Sequence, residues 1–255
     1  MKNLSGIEDI ELKTKREIEN LKKSGSLVAK ILKEIASIVK PGIRTATMES
    51  ICVQRINFYR SDYRIDKYLD FPTHLSVSVN DTAVHGIPDD RILKNGDIVT
   101  LDLVLRVDGW YGDSAVTVPV GAIAPRHARL IDAAREATAA GIQKAVAGNR
   151  IGDIGAAIQR VVRKYEARVF EQLVGHGVGR TLHEGPVVFM KGEEKVGQPI
   201  VPGMVFTIEP VVTRGNADYN IADDGHSIIT GDGAYTAMFE HMIAVLSDRT
   251  LILTE

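Results

Sequence analysis

Apolar residues recur at helical spacing near the start of the chain, at Ile18, Leu21, Leu27, Val28, Ile31, Leu32, Ile35 and Ile38. That period puts them on one face of an amphipathic helix. Thr14-Lys15-Arg16-Glu17 just ahead is a capping-box pattern, and the helix is expected to stop at Lys40, before Pro41-Gly42. A second helix is predicted from Thr47 to about Tyr59. The period then changes. Leu75 to Val79 alternates with serines and reads as a strand. Ile98–Val107 and Trp110–Val120 read as strands around Asp108-Gly109, a strong hairpin signal. Pro125 to about Ala147 and Ile154 to about Ala167 read as helices, with the turn Gly148-Asn149-Arg150 between them. From Phe170 onward the pattern is strand and loop, with runs at Val187–Met190, Met204–Val212, Ser227–Thr230 and Tyr235–Leu246. A last strand is expected near Leu251-Ile252-Leu253-Thr254.

The pattern is stated twice. Gly96-Asp97-Ile98-Val99-Thr100-Leu101-Asp102 and Gly203-Met204-Val205-Phe206-Thr207-Ile208-Glu209 each place an acid on an apolar strand after a glycine turn. Upstream, Val84-His85-Gly86-Ile87-Pro88 is echoed by Leu182-His183-Glu184-Gly185-Pro186, and downstream Asp113 and Glu240 lie in the next strand-like runs. Each half, about 14–120 and 126–246, is helix, helix, then strands. No linker separates them, so we expect one α+β domain over 1–255, made by duplication, with one site at a pseudo-twofold interface.

Composition narrows the functional classes. With 255 residues the chain can bury a sizeable core. A net charge of −2 argues against a partner held by a basic surface, so no nucleic acid is required. The single Cys52 excludes an intrachain disulfide framework and a cysteine zinc cluster, and fits a reducing cytoplasm. Residues 1–6 lack the apolar core of a signal peptide, and no run is long enough to span a membrane. A cytoplasmic monomer is the expectation, since nothing demands an oligomer.

The acids carry the chemistry. With a two-residue loop at Asp108-Gly109, Val107 pairs with Trp110 and Val104 with Asp113. Asp102 then shares a face with Asp113, as a diagonal neighbour roughly 7–8 Å away at the backbone. A three-residue bulge would shift this register, and on the hairpin alone a pair of solvated acids fits as well as a metal site. Glu209 and Glu240 also lie in apolar runs, where an unpaired charge is expensive. His176 lies in Gly175-His176-Gly177-Val178-Gly179, which has neither phosphate-loop nor dinucleotide spacing. Asp102, Asp113, Glu209 and Glu240 carry four negative charges beside a neutral His176, which two divalent ions would balance. Oxygen-rich ligation with one imidazole suits Co, Mn, Fe(II) or Zn, and a pair of such ions is the usual arrangement for metal-assisted hydrolysis.

At these residues the chain resembles the type I methionine aminopeptidases of the pita-bread metallopeptidase family. The resemblance runs from about Thr14 to Leu246. It rests on Lys40-Pro41-Gly42, Val79-Asn80, His85-Gly86-Ile87-Pro88-Asp89-Asp90, Gly112-Asp113-Ser114, Gly175-His176-Gly177-Val178-Gly179-Arg180, His183-Glu184, Phe206-Thr207-Ile208-Glu209-Pro210, Asp223-Asp224-Gly225 and Phe239-Glu240-His241. It implies a curved antiparallel sheet covered by helices. It also implies removal of N-terminal methionine from peptides and nascent proteins with a small second residue preferred, and a ribosome surface as a candidate partner. Asp102, Asp113, His176, Glu209 and Glu240 become the implied ligands, with Asp113 and Glu240 bridging. Glu209 is implied as the proton shuttle, His183 as a hydrogen-bond donor to the developing oxyanion, and His85 as a contact to the scissile amide or leaving nitrogen. The short form, with neither an extra zinc-binding region in front nor a long insertion in the second half, is the expected type.

The substrate pocket departs from that family. His226 stands where the family usually has Trp, Leu182 where it has Phe, and Ser76 where a Cys is common, while Tyr68 and Phe71 keep an aromatic wall. Losing two rings weakens the contacts available to a thioether, so relaxed or altered N-terminal specificity is the alternative substrate reading. Of the remaining histidines, His127 reads as solvated at a helix start, His74 as a loop residue, and His241 as facing away from Glu240.

Overall fold

The capping box opens the first helix. In the computed structural model, which describes residues 10–67 and 70–255, Thr14 Oγ1 accepts from the Glu17 backbone N–H and the Glu17 carboxylate accepts from the Thr14 N–H. Helix α1 (Lys15–Ile38) follows, and α2 (Thr45–Tyr59) after it. The short strand β1 (Ile65–Lys67) leads to β2 (Leu75–Val79), β3 (Thr82–Val84) and the long hairpin β4 (Ile98–Val107) and β5 (Trp110–Pro119). The second half repeats this order, with α3 (Pro125–Lys144) and α4 (Ile151–Lys164) ahead of its strands. These are β6 (Arg168–Val169), β7 (Gly175–Gly177), β8 (Glu184–Val188), β9 (Val205–Ile208), β10 (Val211–Thr213), β11 (Tyr219–Ile221), β12 (Ile228–Thr230), β13 (Thr236–Val245) and β14 (Thr250–Ile252).

Eleven of these strands form one sheet, along β1-β4-β5-β13-β9-β7-β8 with β2, β6, β10 and β14 attached, and β11-β12-β3 form a small second sheet. Strand parity decides which face the helices cover. Leu101, Leu103, Leu105 and Val107 of β4 and Leu75, Val77 and Val79 of β2 are buried with Leu27, Val28, Ile31 and Ile35 of α1 and Met48, Cys52 and Ile56 of α2. A second core joins α3 and α4 to Met204, Phe206 and Ile208 and to Val212, Ala237 and Ile243. The opposite parity of β2 and β4, with Ser76, Ser78 and Asp102, is left for the other face of the sheet.

β13 joins the halves. On one edge it pairs with β5, Phe239 opposite Val116 and Glu240 opposite Ala115. On its other edge it pairs first with β10 and then with β9. The run read as one strand from Met204 to Val212 is therefore two, broken at Glu209-Pro210, because proline has no N–H for the ladder. Helix α4 begins at Ile151, ahead of the expected Ile154, since the Asp153 carboxylate accepts from the Arg150 and Lys195 N–H groups and caps an earlier turn. Helix α1 ends at Ile38, with the Val39 N–H already bonded back to Ala36. Strand β8 lies earlier than the expected 187–190. β1, β3, β6, β7 and β11, all two or three residues long, left no readable period. His127 is not simply solvated: its ring stacks on Tyr235 with centroids 4.2 Å apart and its Nε2 accepts from Arg126 Nε. His241 does face away from the acids, with Nδ1 2.9 Å from Thr254 Oγ1. Among the described residues, no helix is long and apolar enough to cross a membrane.

Candidate metal centre and substrate cleft

The hairpin turn fixes the first two acids. Asp108 and Gly109 both have positive φ, 50° and 86°, the geometry of a two-residue hairpin loop that matches strand twist. The resulting register is Val107 with Trp110, Val104 with Asp113 and Asp102 with Ala115. Paired residues share a face, so Asp102, Asp113 and, across Ala115, Glu240 all project from the same side of β4, β5 and β13. Oxygens of these three carboxylates lie within 4.8 Å of one another.

The second half brings two more groups to this spot. One step beyond the His241–Ile208 pair, Glu209 comes opposite Glu240. Thr207 accepts from the His176 backbone N–H at 3.0 Å and its hydroxyl donates to the Glu209 carboxylate, so one side chain orients both residues. Sequence reasoning missed Thr207, although its parity with Glu209 on an apolar strand was the available signal. The glycines around His176 allow the close approach this needs, since a Cβ on Gly177 would lie 1.9 Å from the Gly185 carbonyl oxygen. His176 Nε2 is 3.7 Å from both Asp113 Oδ2 and Glu209 Oε1.

The electrostatics of this cluster are unresolved by protein alone. Burial pushes Asp102 up to about 7 and Glu209 up to about 8, although the Thr207 bond works against the rise in Glu209. Burial, followed by the neighbouring acids, holds Asp113 and Glu240 well above the carboxylate range. Burial, then His183, lowers His176 to about 3, so its imidazole is neutral. Its Nδ1 lies 3.1 Å from the Gly177 carbonyl. A carbonyl only accepts, so Nδ1 carries the hydrogen and Nε2 presents a lone pair to two carboxylates. Among the described residues, no Lys or Arg lies within ion-pair distance of the four acids. A set of four carboxylates and one imidazole lone pair, all acceptors, fits divalent cations.

Around the acids lie the cleft residues. The His183 ring sits 4.4 Å from that of His176, edge to face. His85 takes a left-handed backbone, φ 59°, a conformation uncommon for a residue with a Cβ and concentrated at functional positions. Loss of hydration, then His183 and His226, lowers its pKa although its ring reaches the cleft surface. The backbone at His85 is held by Ser227, whose Oγ lies 3.3 Å from the His85 carbonyl oxygen and accepts from the Ile87 N–H. Phe71 stands between His85 and His226, with ring centroids 6.0 Å from each. Ser76, opposite Asp102 on β2, is buried, and its Oγ has no hydrogen-bond partner among the described residues. Leu182 is buried and His226 is exposed. Tyr68 lies outside the described residues. His74 is tied to α2 rather than loose, its N–H and Nδ1 both meeting the Glu49 carboxylate.

Comparison with known proteins agrees with this geometry. The sequence pattern described as metallopeptidase family M24 matches residues 19–247. A methionine aminopeptidase of Rickettsia prowazekii is 35% identical over 96% of this chain and 95% of its own length. Methionine aminopeptidase 1 of Bacillus subtilis is 37% identical over 95% of this chain and 98% of its own. The crystal structure of a Thermotoga maritima methionine aminopeptidase superposes with a TM-score of 0.92 at 35% identity, covering 97% of this chain and all of that one. An Xaa-Pro dipeptidase of Bacillus anthracis, 21% identical with a TM-score of 0.74, shares the fold; this chain covers 62% of its length.

Proposed function

This chain belongs to metallopeptidase family M24, and from that premise we propose a metal-dependent aminopeptidase that removes N-terminal methionine from peptides and nascent proteins. The observation that carries the reading is the set of four acids, Asp113 and Glu240 buried and Asp102 and Glu209 partly so, and one imidazole lone pair, with no Lys or Arg among the described residues at ion-pair distance from them. Asp102, Asp113, His176, Glu209 and Glu240 would hold two divalent ions, with Asp113 and Glu240 central. Bound there, such ions would polarise the scissile carbonyl and make water nucleophilic at neutral pH.

The chain's own residues do the rest. Glu209, kept ionised once the ions are bound, takes a proton from water and returns it to the leaving amine, as its position at the strand break allows. His183 donates a hydrogen bond to the oxygen on which charge develops. His85, held by Ser227 in its left-handed conformation, meets the scissile amide. Phe71, His226, Leu182 and Ser76 receive the first side chain, with Tyr68 assigned to the same wall by sequence. A small second residue is the preference that the family resemblance implies.

The test is release of the first residue from Met-Gly-Met-Met and matched Leu- and Ala-headed peptides by metal-stripped protein given Mn(II) or Co(II). Metal-dependent release selective for methionine is expected. Selective release of another residue would keep the chemistry and replace the substrate with one suited to His226 and the Ser76 hydroxyl. No release by metal-loaded protein would overturn the reading.

A further inference from the structure

An ion pair made by a buried lysine lies outside the acid cluster, on the residue next to His183. Lys13, just before α1, has a side chain only 1% exposed, and its Nζ is 2.7 Å from Glu184 Oε2 and 2.7 Å from Glu11 Oε2. Glu184 follows His183 in the chain. Its other oxygen accepts from the Thr181 N–H at 3.0 Å and the Thr181 hydroxyl at 3.2 Å. The 181–184 turn that carries His183 is therefore closed on itself by the same carboxylate that Lys13 grips. Both ends of this device are anchored to the sheet. The Lys13 N–H bonds to the Gly203 carbonyl ahead of β9, and the Tyr111 N–H of β5 bonds to the Gly179 carbonyl at the turn's start. The space is cut to fit the pair: a Cβ on Gly179 would lie 2.4 Å from Glu184 Oε1 and 2.6 Å from Lys13 Nζ.

We propose that Lys13 is a positioning residue for His183, acting through Glu184 to hold the 181–184 turn so that the imidazole meets the reacting carbonyl. A flexible loop would let the backbone that carries this ring wander. A buried Lys13 side chain bonded to a carboxylate whose two oxygens are both engaged restrains it. Removing the ammonium leaves the part-buried Glu184 carboxylate without its ion-pair partner and releases the turn from α1. The proposal rests on the reading of His183 as a group that faces substrate.

The test is a cycle of variants assayed as Mn(II)-loaded protein on a methionine-headed peptide. Lys13→Met should lower kcat about tenfold or more, as misplaced catalytic groups do, with KM and Mn(II) affinity little changed. Lys13→Arg should restore most of it. In a His183→Ala background, Lys13→Met should have almost no further effect, because the group it positions is gone. An equal fold-loss in both backgrounds would overturn the proposal, as would an unchanged kcat. Should Lys13→Met fail to fold, Glu184→Gln, nearly isosteric, takes its place in the same cycle. A second readout is independent of activity. In diamagnetic Zn(II)-loaded protein with 15N-labelled histidine, the His183 signal, identified by its loss in His183→Ala, should shift in Lys13→Met and stay in place in Lys13→Arg. An unmoved signal in Lys13→Met sinks the proposal. Should His183→Ala itself retain full kcat, the catalytic reading of His183 fails, and the proposal that Lys13 acts on the reaction falls with it.

Discussion

Stripping divalent ions should make stability fall steeply with pH in a range where most proteins change little. Consider the window from about pH 7 to about pH 8.5. In the unfolded chain every Asp and Glu is ionised there and every His is largely neutral. His176, lowered to about 3 in the fold, is neutral in both states and contributes almost nothing. Asp113 and Glu240 are raised well above the carboxylate range, first by burial and then by the neighbouring acids, so the metal-free fold binds protons there more tightly than the unfolded chain does. A folded-state pKa raised above the unfolded value gives stability that is present below the unfolded pKa and lost as pH rises towards the folded one. Each proton that the fold holds and the unfolded chain has lost removes about 1.4 kcal/mol per pH unit, which for a chain of this size is roughly 3 °C in Tm. The Glu209 proton, released near 8, supplies this loss in the lower part of the window, and the protons on Asp113 and Glu240 add to it. Bound ions keep the carboxylates ionised and abolish the slope. Calorimetry of chelator-treated protein at several pH values, with and without Mn(II), measures both curves. A metal-free Tm that is level or rises across the window would refute the electrostatic account of the cluster.

Other outcomes follow from the same geometry. His183→Ala should lower kcat by about 100-fold or more while calorimetric titration finds Mn(II) affinity intact; a kcat equal to the parent's would remove the residue from the reaction. Asp113→Asn should lose Mn(II) affinity. Its metal-free form should nevertheless melt above the metal-free parent near pH 8, because each unit of carboxyl pKa elevation it removes is worth about 1.4 kcal/mol. A lower melting point for that variant would contradict the unfavourable burial of Asp113. Gly177→Ala forces a Cβ onto the Gly185 carbonyl and should cost about 3 kcal/mol in denaturant unfolding; a loss below about 1 kcal/mol would mean that strands β7 and β8 can separate freely.

The hairpin was legible because Asp108-Gly109 is a strong two-residue turn signal. Positive φ at both residues decides for that loop over the three-residue bulge, and the resulting register puts Asp102 and Asp113 on one face. The α1 stripe and its capping box were equally plain, since both are local signals. What escaped was set by distant pairing. Strand β7 is Gly175-His176-Gly177, too short and too glycine-rich to show a period, and it exists because β9 and β8 flank it. Strand β3 is a strand through its pairing with β12, far away in sequence. His127 was misread because its stacking partner, Tyr235, lies on the far side of the second half. The roles of Thr207 and Ser227 depend on which backbone groups the fold brings to their hydroxyls, and no spacing rule records that.

The candidate ligands come from both halves, and Glu240, on the strand that stitches them together, is the last in chain order. During synthesis the β4–β5 hairpin presents two acids long before the strand that flanks them exists. A growing chain therefore has no complete ion cage, and the charge it has already made can be held only by protons or water. Activity is a property of the finished molecule. The sheet can close at β13 only after Glu240 has been made, and that one strand both joins the two halves and adds the last acid of the cluster.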